Sequence, residues 1–342
     1  MRVQRPLVIL IIILSIFLLS GCNKILPLFK DKKPEVISNL SASSIMMDSN
    51  EIRSQTIQII NNAKKSIFIE LSAIDDQEII NLLISKSRNG IKVHILLDQW
   101  QRENSETVKY LKNQNVSVQY YPAQKGQYQR IRYLVADYQV AVFYGNDWTA
   151  KGFATHTMAI KLTGDAAWTI AKSFDKDWSY TTTLSLGLPE TMNLPQDNII
   201  FTLSSGVKPQ LLKQINAASK EIIAEVEQIS DPDTVEALVQ AKKRGCTVKL
   251  IVSPSCAVAT PNTIKKFKES EIQVRYYNSP NKIPMGFNLS IFDNKTMMMT
   301  SSSWTYYSFV INHEGALIIP SPTASESISK VLSQEWENAS LP

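Results

Sequence analysis

The chain has 342 residues, 44% of them hydrophobic and 20% charged, with a formal net charge of +5 and three cysteines. Such a length supports a large core or two domains, and so small and scattered an excess of positive charge gives no electrostatic case for nucleic acid. Cys246 and Cys256 bracket a predicted strand, Thr247–Val252, whose extended length holds their Cα atoms too far apart for a disulfide. Both read as buried thiols, and nothing in the chain resembles a zinc site.

Met1–Leu19 places Arg2 and Arg5 ahead of an almost unbroken apolar run, Leu7–Leu19. The run is too short for a comfortable membrane span and has the order of a signal peptide. It ends in Leu19-Ser20-Gly21-Cys22, which resembles a bacterial lipobox. The resemblance implies that residues 1–21 are cleaved and that Cys22 carries lipid, palmitate included, so the membrane is the first partner. Several acyl chains on one residue anchor a protein stably. The expected location is the outer face of the bacterial cytoplasmic membrane, or the outer membrane. Loss of Arg2 and Arg5 would take the formal charge from +5 to +3. Residues 22–42, with Lys30-Asp31-Lys32-Lys33-Pro34 and a Ser/Asn-rich stretch, read as a linker that lifts the domain off the bilayer.

From residue 43 the chain repeats at an offset near 155 residues. Asn62-Ala-Lys-Lys-Ser-Ile-Phe-Ile-Glu70 matches Ala217-Ala-Ser-Lys-Glu-Ile-Ile-Ala-Glu225, and Val116-Ser-Val-Gln-Tyr-Tyr121 matches Ile272-Gln-Val-Arg-Tyr-Tyr277. Phe174-Asp-Lys-Asp-Trp178 matches Leu332-Ser-Gln-Glu-Trp336. Each copy reads as three helix–strand units, a hairpin, a further strand and a final helix. Helices are predicted over Gln77–Asn89 and Asp233–Arg244, the second with Asp231 as N-cap and Pro232 at its first position. Gly90 and Gly245 stop those helices. Alternating helices and buried strands argue an α/β layer fold.

The predicted hairpin of copy one has strands Ile131–Val135 and Gln139–Phe143 about a turn at Asp137-Tyr138, then Trp148-Thr149. Copy two has Gly286–Asp293, Asn294–Met299 and Trp304-Thr305. Both resemble the phospholipase D superfamily motif, His-x-Lys-x-x-x-x-Asp followed by a Gly-Ser-x-Asn-Trp-like turn. Here the motif is Arg130-x-Arg132-x4-Asp137 and Gly286-x-Asn288-x4-Asp293. The aspartates and Trp-Thr turns match; both histidines and both lysines are replaced. The resemblance implies two phospholipase D-like repeats, each a largely parallel mixed sheet flanked by helices, packed about a pseudo-twofold axis. Repeat one is placed at 43–180, an inter-repeat linker at 181–198 and repeat two at 199–342, with one site at the seam.

In that family one histidine attacks phosphorus, the other protonates the leaving oxygen, and the lysines neutralise phosphate charge. Arginine stays protonated and glycine has no functional group, so Arg130 and Gly286 supply neither nucleophile nor base. The expectation is a pseudoenzyme with no catalytic residue, cofactor or metal, binding a phosphodiester (phospholipid or nucleic acid) or an envelope protein. A purely structural envelope scaffold, and an active phosphodiesterase on phospholipid or nucleic acid using His156 and His313 or another non-standard nucleophile, are the rivals. Arg130 and Arg132 suit bidentate phosphate contacts and equally suit salt bridges, with Glu314 a candidate partner. Asn288, Glu314, His156 and His313 complete the expected ligand-binding set; His94 and the two tryptophans read as structural. Mass spectrometry of membrane-extracted protein should find an acylated Cys22 as the N-terminus, and Cys22→Ser should abolish the acyl mass; an unmodified N-terminus elsewhere would refute the anchor.

Overall fold

The structure, a computed structural model, describes residues 37–279 and 281–342. The predicted signal segment, Cys22 and most of the linker predicted at 22–42 lie outside the described residues. Among the described residues, no helix is long and apolar enough to cross a membrane.

Repeat one opens with the edge strand β1 (Ile45–Met46) and helix Ser49–Asn62, whose cap Asp48 accepts the Glu51 N–H at 2.8 Å. β2 (Ser66–Leu71), β3 (Lys92–Asp98) and β4 (Ser117–Tyr121) run parallel, joined through helices Gln77–Arg88 and Asn104–Asn113. Parallel neighbours need such crossovers. The hairpin β5 (Tyr133–Ala136) and β6 (Val140–Tyr144) then reverses the chain, followed by β7 (Ala159–Leu162) and helix Asp165–Thr182. The sheet order is β1-β7-β6-β5-β2-β3-β4, with β5 antiparallel to β2. The sheet is therefore mixed, its parallel pairing confined to β2, β3 and β4.

Residues 183–199 cross without regular structure to β8 (Ile200–Leu203), the edge strand of repeat two. β9 (Glu221–Val226), β10 (Thr247–Val252) and β11 (Gln273–Tyr276) form its parallel part. The hairpin β12 (Asn288–Phe292) and β13 (Thr296–Thr300), then β14 (Gly315–Ile319), give the order β11-β10-β9-β12-β13-β14-β8. Helix Pro322–Asn338 ends the chain's regular structure.

Strand alternation sends each sheet's two faces to different cores. In β5, Tyr133 and Val135 enter a core shared by both repeats, whereas Leu134 and Ala136 face the helices of repeat one. Met297 and Met299 of β13 enter the shared core while Met298 faces the helices of repeat two. The shared core also takes Phe174 and Leu332 from the two repeat-ending helices. Trp148 and Trp304 are fully buried. Cys246 and Cys256 are free and buried.

β5 starts at Tyr133, two residues later than the predicted strand, because Arg130 leaves the sheet: its N–H bonds to the carbonyl of His313 in the other repeat at 2.8 Å. The hairpin turns have positive φ at both central residues, 53° and 66° at Asp137 and Tyr138 and 53° and 54° at Asp293 and Asn294, as type I′ turns require. The motif aspartates hold these turns rather than the site. Asp137 accepts the N–H groups of Lys64, Lys65 and Ser66 at 2.8, 2.6 and 2.9 Å, and Asp293 accepts those of Ser219, Lys220 and Glu221 at 2.9, 2.8 and 3.0 Å. Each hairpin is thereby pinned to the start of β2 or β9. Asp137→Ala and Asp293→Ala should each cost about 1–3 kcal/mol, because N–H groups lose their acceptor; a urea midpoint shift checks this.

Candidate functional site

The seam between the repeats opens into a cleft of about 500 Å³. Arg130, Arg132, Asn146 and Asp147 line it from repeat one, and Gly286, Asn288 and Ser301 from repeat two. Both motif hairpins thus reach one cavity, the Arg-x-Arg stretch through residues 130–132, which precede β5 and lie off the sheet.

The two arginines differ. Arg132 is 8% exposed; its Nε donates to Asp147 Oδ1 at 2.7 Å and its Nη1 crosses the seam to the Ser301 carbonyl at 2.8 Å. Asp147 stands where the family turn carries asparagine, so the substitution supplies this arginine's counter-ion. Arg130 is half-buried, with its guanidinium carbon 5.0 Å from the centre of the Tyr128 ring. Its guanidinium makes no hydrogen bond or ion pair among the described residues.

Opposite them, Gly286 is a place of close approach. A Cβ there would lie 2.2 Å from Thr155 Oγ1 and 2.9 Å from the His156 carbonyl, so a histidine would have to force the repeats apart. Asn288 is 6% exposed and its Oδ1 accepts the Glu227 N–H at 2.9 Å. It faces the cleft but its carbonyl is committed to holding the end of β9.

Glu314 is not among the cleft-lining residues, and it pairs with neither arginine. It sits behind Ser301, whose Oγ donates to Glu314 Oε2 at 2.5 Å, while Asn312 Nδ2 donates to Oε1 at 3.1 Å. Burial pushes its carboxyl up to about 7, against the pull of these donors and of both arginines. Ser301 Oγ also accepts the Gly315 N–H at 2.9 Å, so this hydroxyl is tied into the wall.

His156 and His313 also lie outside the cleft. Each reaches across the seam to two acids of the other repeat. His313 Nε2 lies 3.1 Å from Asp177 Oδ2 and 3.5 Å from Glu70 Oε1, with Nδ1 on Ser204 Oγ at 2.8 Å and the ring stacked 4.3 Å from Tyr121. Burial works against charge on His313, but Asp177 and Glu70 outweigh it and raise its pKa to about 10. His156 Nε2 lies 2.6 Å from Glu335 Oε1 and 4.0 Å from Glu225 Oε1, its ring stacked 5.6 Å from Tyr277. His94 packs edge-on to Trp178 at 4.8 Å, and burial pulls its pKa down to about 4. Among the described residues, no histidine or cysteine lines the cleft.

A family model described as cardiolipin synthase, PLD-like domain, matches residues 56–178 and 211–336. The chain belongs to the phospholipase D superfamily. Among solved structures it is similar to phosphatidylserine synthase of Haemophilus influenzae, with TM-score 0.66 and 14% identity over 88% of this chain and 87% of that one. It is also similar to polyphosphate kinase of Porphyromonas gingivalis, with TM-score 0.63 and 12% identity over 84% of this chain and 46% of that one. At these identities the likeness shows the fold alone. A search of curated proteins finds no match.

This phospholipase D-like chain thus brings Arg130, Arg132, Gly286 and Asn288 together, and holds Asp137, Asp293, Glu314, His156 and His313 elsewhere. Sequence reasoning passed over Glu70, Asp177, Glu225 and Glu335, although the repeat alignment itself matches an acid ending two apolar strands and an acid preceding two tryptophans. Asp177→Asn should destabilise the fold by about 3–5 kcal/mol, as breaking a buried pair does. The sign with pH follows from the raised pKa of His313: its contribution is complete below its unfolded value and is lost as pH rises towards about 10. Melting temperature should therefore fall from pH 7 to pH 10, and His313→Gln should flatten that slope.

Proposed function

We propose that this chain is an exported, lipid-anchored member of the superfamily that holds a phosphate-bearing ligand in the seam cleft without cleaving it. Arg130 carries the reading. It is a permanently charged guanidinium facing a cavity, with no anion paired to it among the described residues, and a guanidinium is built for bidentate phosphate contacts. Arg132 has its charge consumed by Asp147, so it shapes the wall.

Charge around the cleft narrows the ligand. Arg130, Arg132 and Lys151 face Asp75, Glu103, Asp147 and Glu227. That balance disfavours a polyanionic strand and favours one phosphate flanked by hydroxyl or ammonium groups, as in a phospholipid headgroup. The seryl and threonyl lining, Thr149, Thr155 and Ser303 among it, offers further hydrogen bonds. Cleavage lacks a nucleophile of the family kind: the residues at the histidine positions are Arg130 and Gly286, and both candidate histidines are held in cross-seam acid contacts.

Calorimetry with a soluble short-chain phosphatidylserine, against single-stranded DNA and inorganic phosphate, tests the reading. A charge-assisted hydrogen bond contributes about 1.5–3 kcal/mol, so Arg130→Ala should weaken lipid binding at least about tenfold with little change in melting temperature. Wild-type release of the headgroup that is lost in Ser301→Ala or His156→Ala would establish an enzyme instead. Equal binding by wild type and Arg130→Ala would leave the scaffold reading.

A further inference from the structure

The two cross-seam histidine sites are equivalent by position but not by chemistry. Glu70 and Glu225 are both fully buried. Tyr133 stands opposite Glu70 in the β2–β5 register, and its hydroxyl donates to Glu70 Oε2 at 2.5 Å. Gln129, bridged to His313, donates its Nε2 to Glu70 Oε1 at 3.2 Å. In repeat two the residue opposite Glu225 is Leu289, and the residue bridged to His156 is Met285. Neither side chain has a donor to offer. Both oxygens of Glu225 are buried without a hydrogen-bond partner, as is Glu335 Oε2.

A buried carboxylate with no donor is costly unless something positive reaches it. His156 Nε2 lies 4.0 Å from Glu225 Oε1 and 2.6 Å from Glu335 Oε1, yet it too is buried without hydrogen-bond geometry to either acid. We infer that His156, Glu225 and Glu335 form a divalent-cation site of the zinc class that clamps repeat one to repeat two. The three donor atoms lie within 4.8 Å of one another. Tetrahedral zinc, bound about 2.0–2.2 Å from nitrogen and oxygen, sets its ligands about 3.3 Å apart; the observed 2.6 and 4.0 Å straddle that value. One imidazole and two carboxylates suit zinc or a neighbouring first-row ion. The side chains of His156 and Glu335 are 21% and 16% exposed, so the cluster lies near the surface of the seam although His156 Nε2 and both Glu225 oxygens are buried. The ligands come from residues 156, 225 and 335, so no local spacing could announce the site.

The site is separate from the cleft, and its test is independent of phosphate binding. Chelator-treated full-length protein should take up one equivalent of Zn²⁺ in calorimetry, raise its melting temperature, and with Co²⁺ show the visible bands of tetrahedral coordination. Glu225→Gln keeps the shape and removes a ligand; it should bind Zn²⁺ more than tenfold more weakly and lose the melting shift. Met285→Gln with Leu289→Tyr rebuilds around Glu225 the donors that surround Glu70, and should raise metal-free stability while abolishing the zinc response. Absence of saturable binding, or equal binding by wild type and Glu225→Gln, would overturn the site and leave Glu225 as a protonated acid shared with Glu335.

Discussion

The contact of His313 with Glu70 and Asp177, buried at the seam, ties this molecule's halves together beside their shared apolar core. His313 belongs to repeat two; Glu70 and Asp177 belong to repeat one. Three ionisable groups removed from water must be paired or pay heavily, and they can be paired only when the repeats are docked. The docking carries the backbone with it: Tyr128 and Arg130 exchange hydrogen bonds with both sides of the His313 peptide, at 2.8 Å each. That zipper draws Arg130 off the sheet and points it into the cleft. The site's free arginine is thus a consequence of the seam.

The two halves have drifted from symmetry in ways that share out different tasks. Arg132 and Asn288 hold equivalent motif positions, yet one is neutralised by Asp147 while the other accepts a backbone N–H. Arg130 keeps its charge for the cavity, whereas Gly286 yields space to Thr155. Tyr133 and Gln129 complete one buried glutamate; Leu289 and Met285 leave the other without donors. Each divergence changes hydrogen bonding without disturbing strand register, since side chains alternate between faces whatever their chemistry. A fold of this kind tolerates altered sites so long as its apolar periodicity survives.

Local rules were legible in the sequence. The repeat, the helix stops at Gly90 and Gly245, the Asp231 cap and the apolar strands all follow from propensity and period, which need no partner. So did the presence of Arg130, Arg132, Gly286 and Asn288 at a common position, because motif spacing along a hairpin is itself a local quantity. What Asp137, Asp293, Glu314, His156 and His313 do was not legible, because each is decided by an atom distant in the chain. Asp147, which follows β6 where Arg132 precedes β5, meets Arg132 at the open end of the same hairpin, while Glu314 is satisfied by Ser301 and Asn312. The two histidines matched in the alignment but their acids come from the opposite repeat, and only docking brings residues 70, 177 and 313, or 156, 225 and 335, into contact. The sequence by itself determined which residues are charged and which face each strand presents; the tertiary structure decided which charges meet, because pairing energy depends on distance through space and on burial, neither of which is written along the chain.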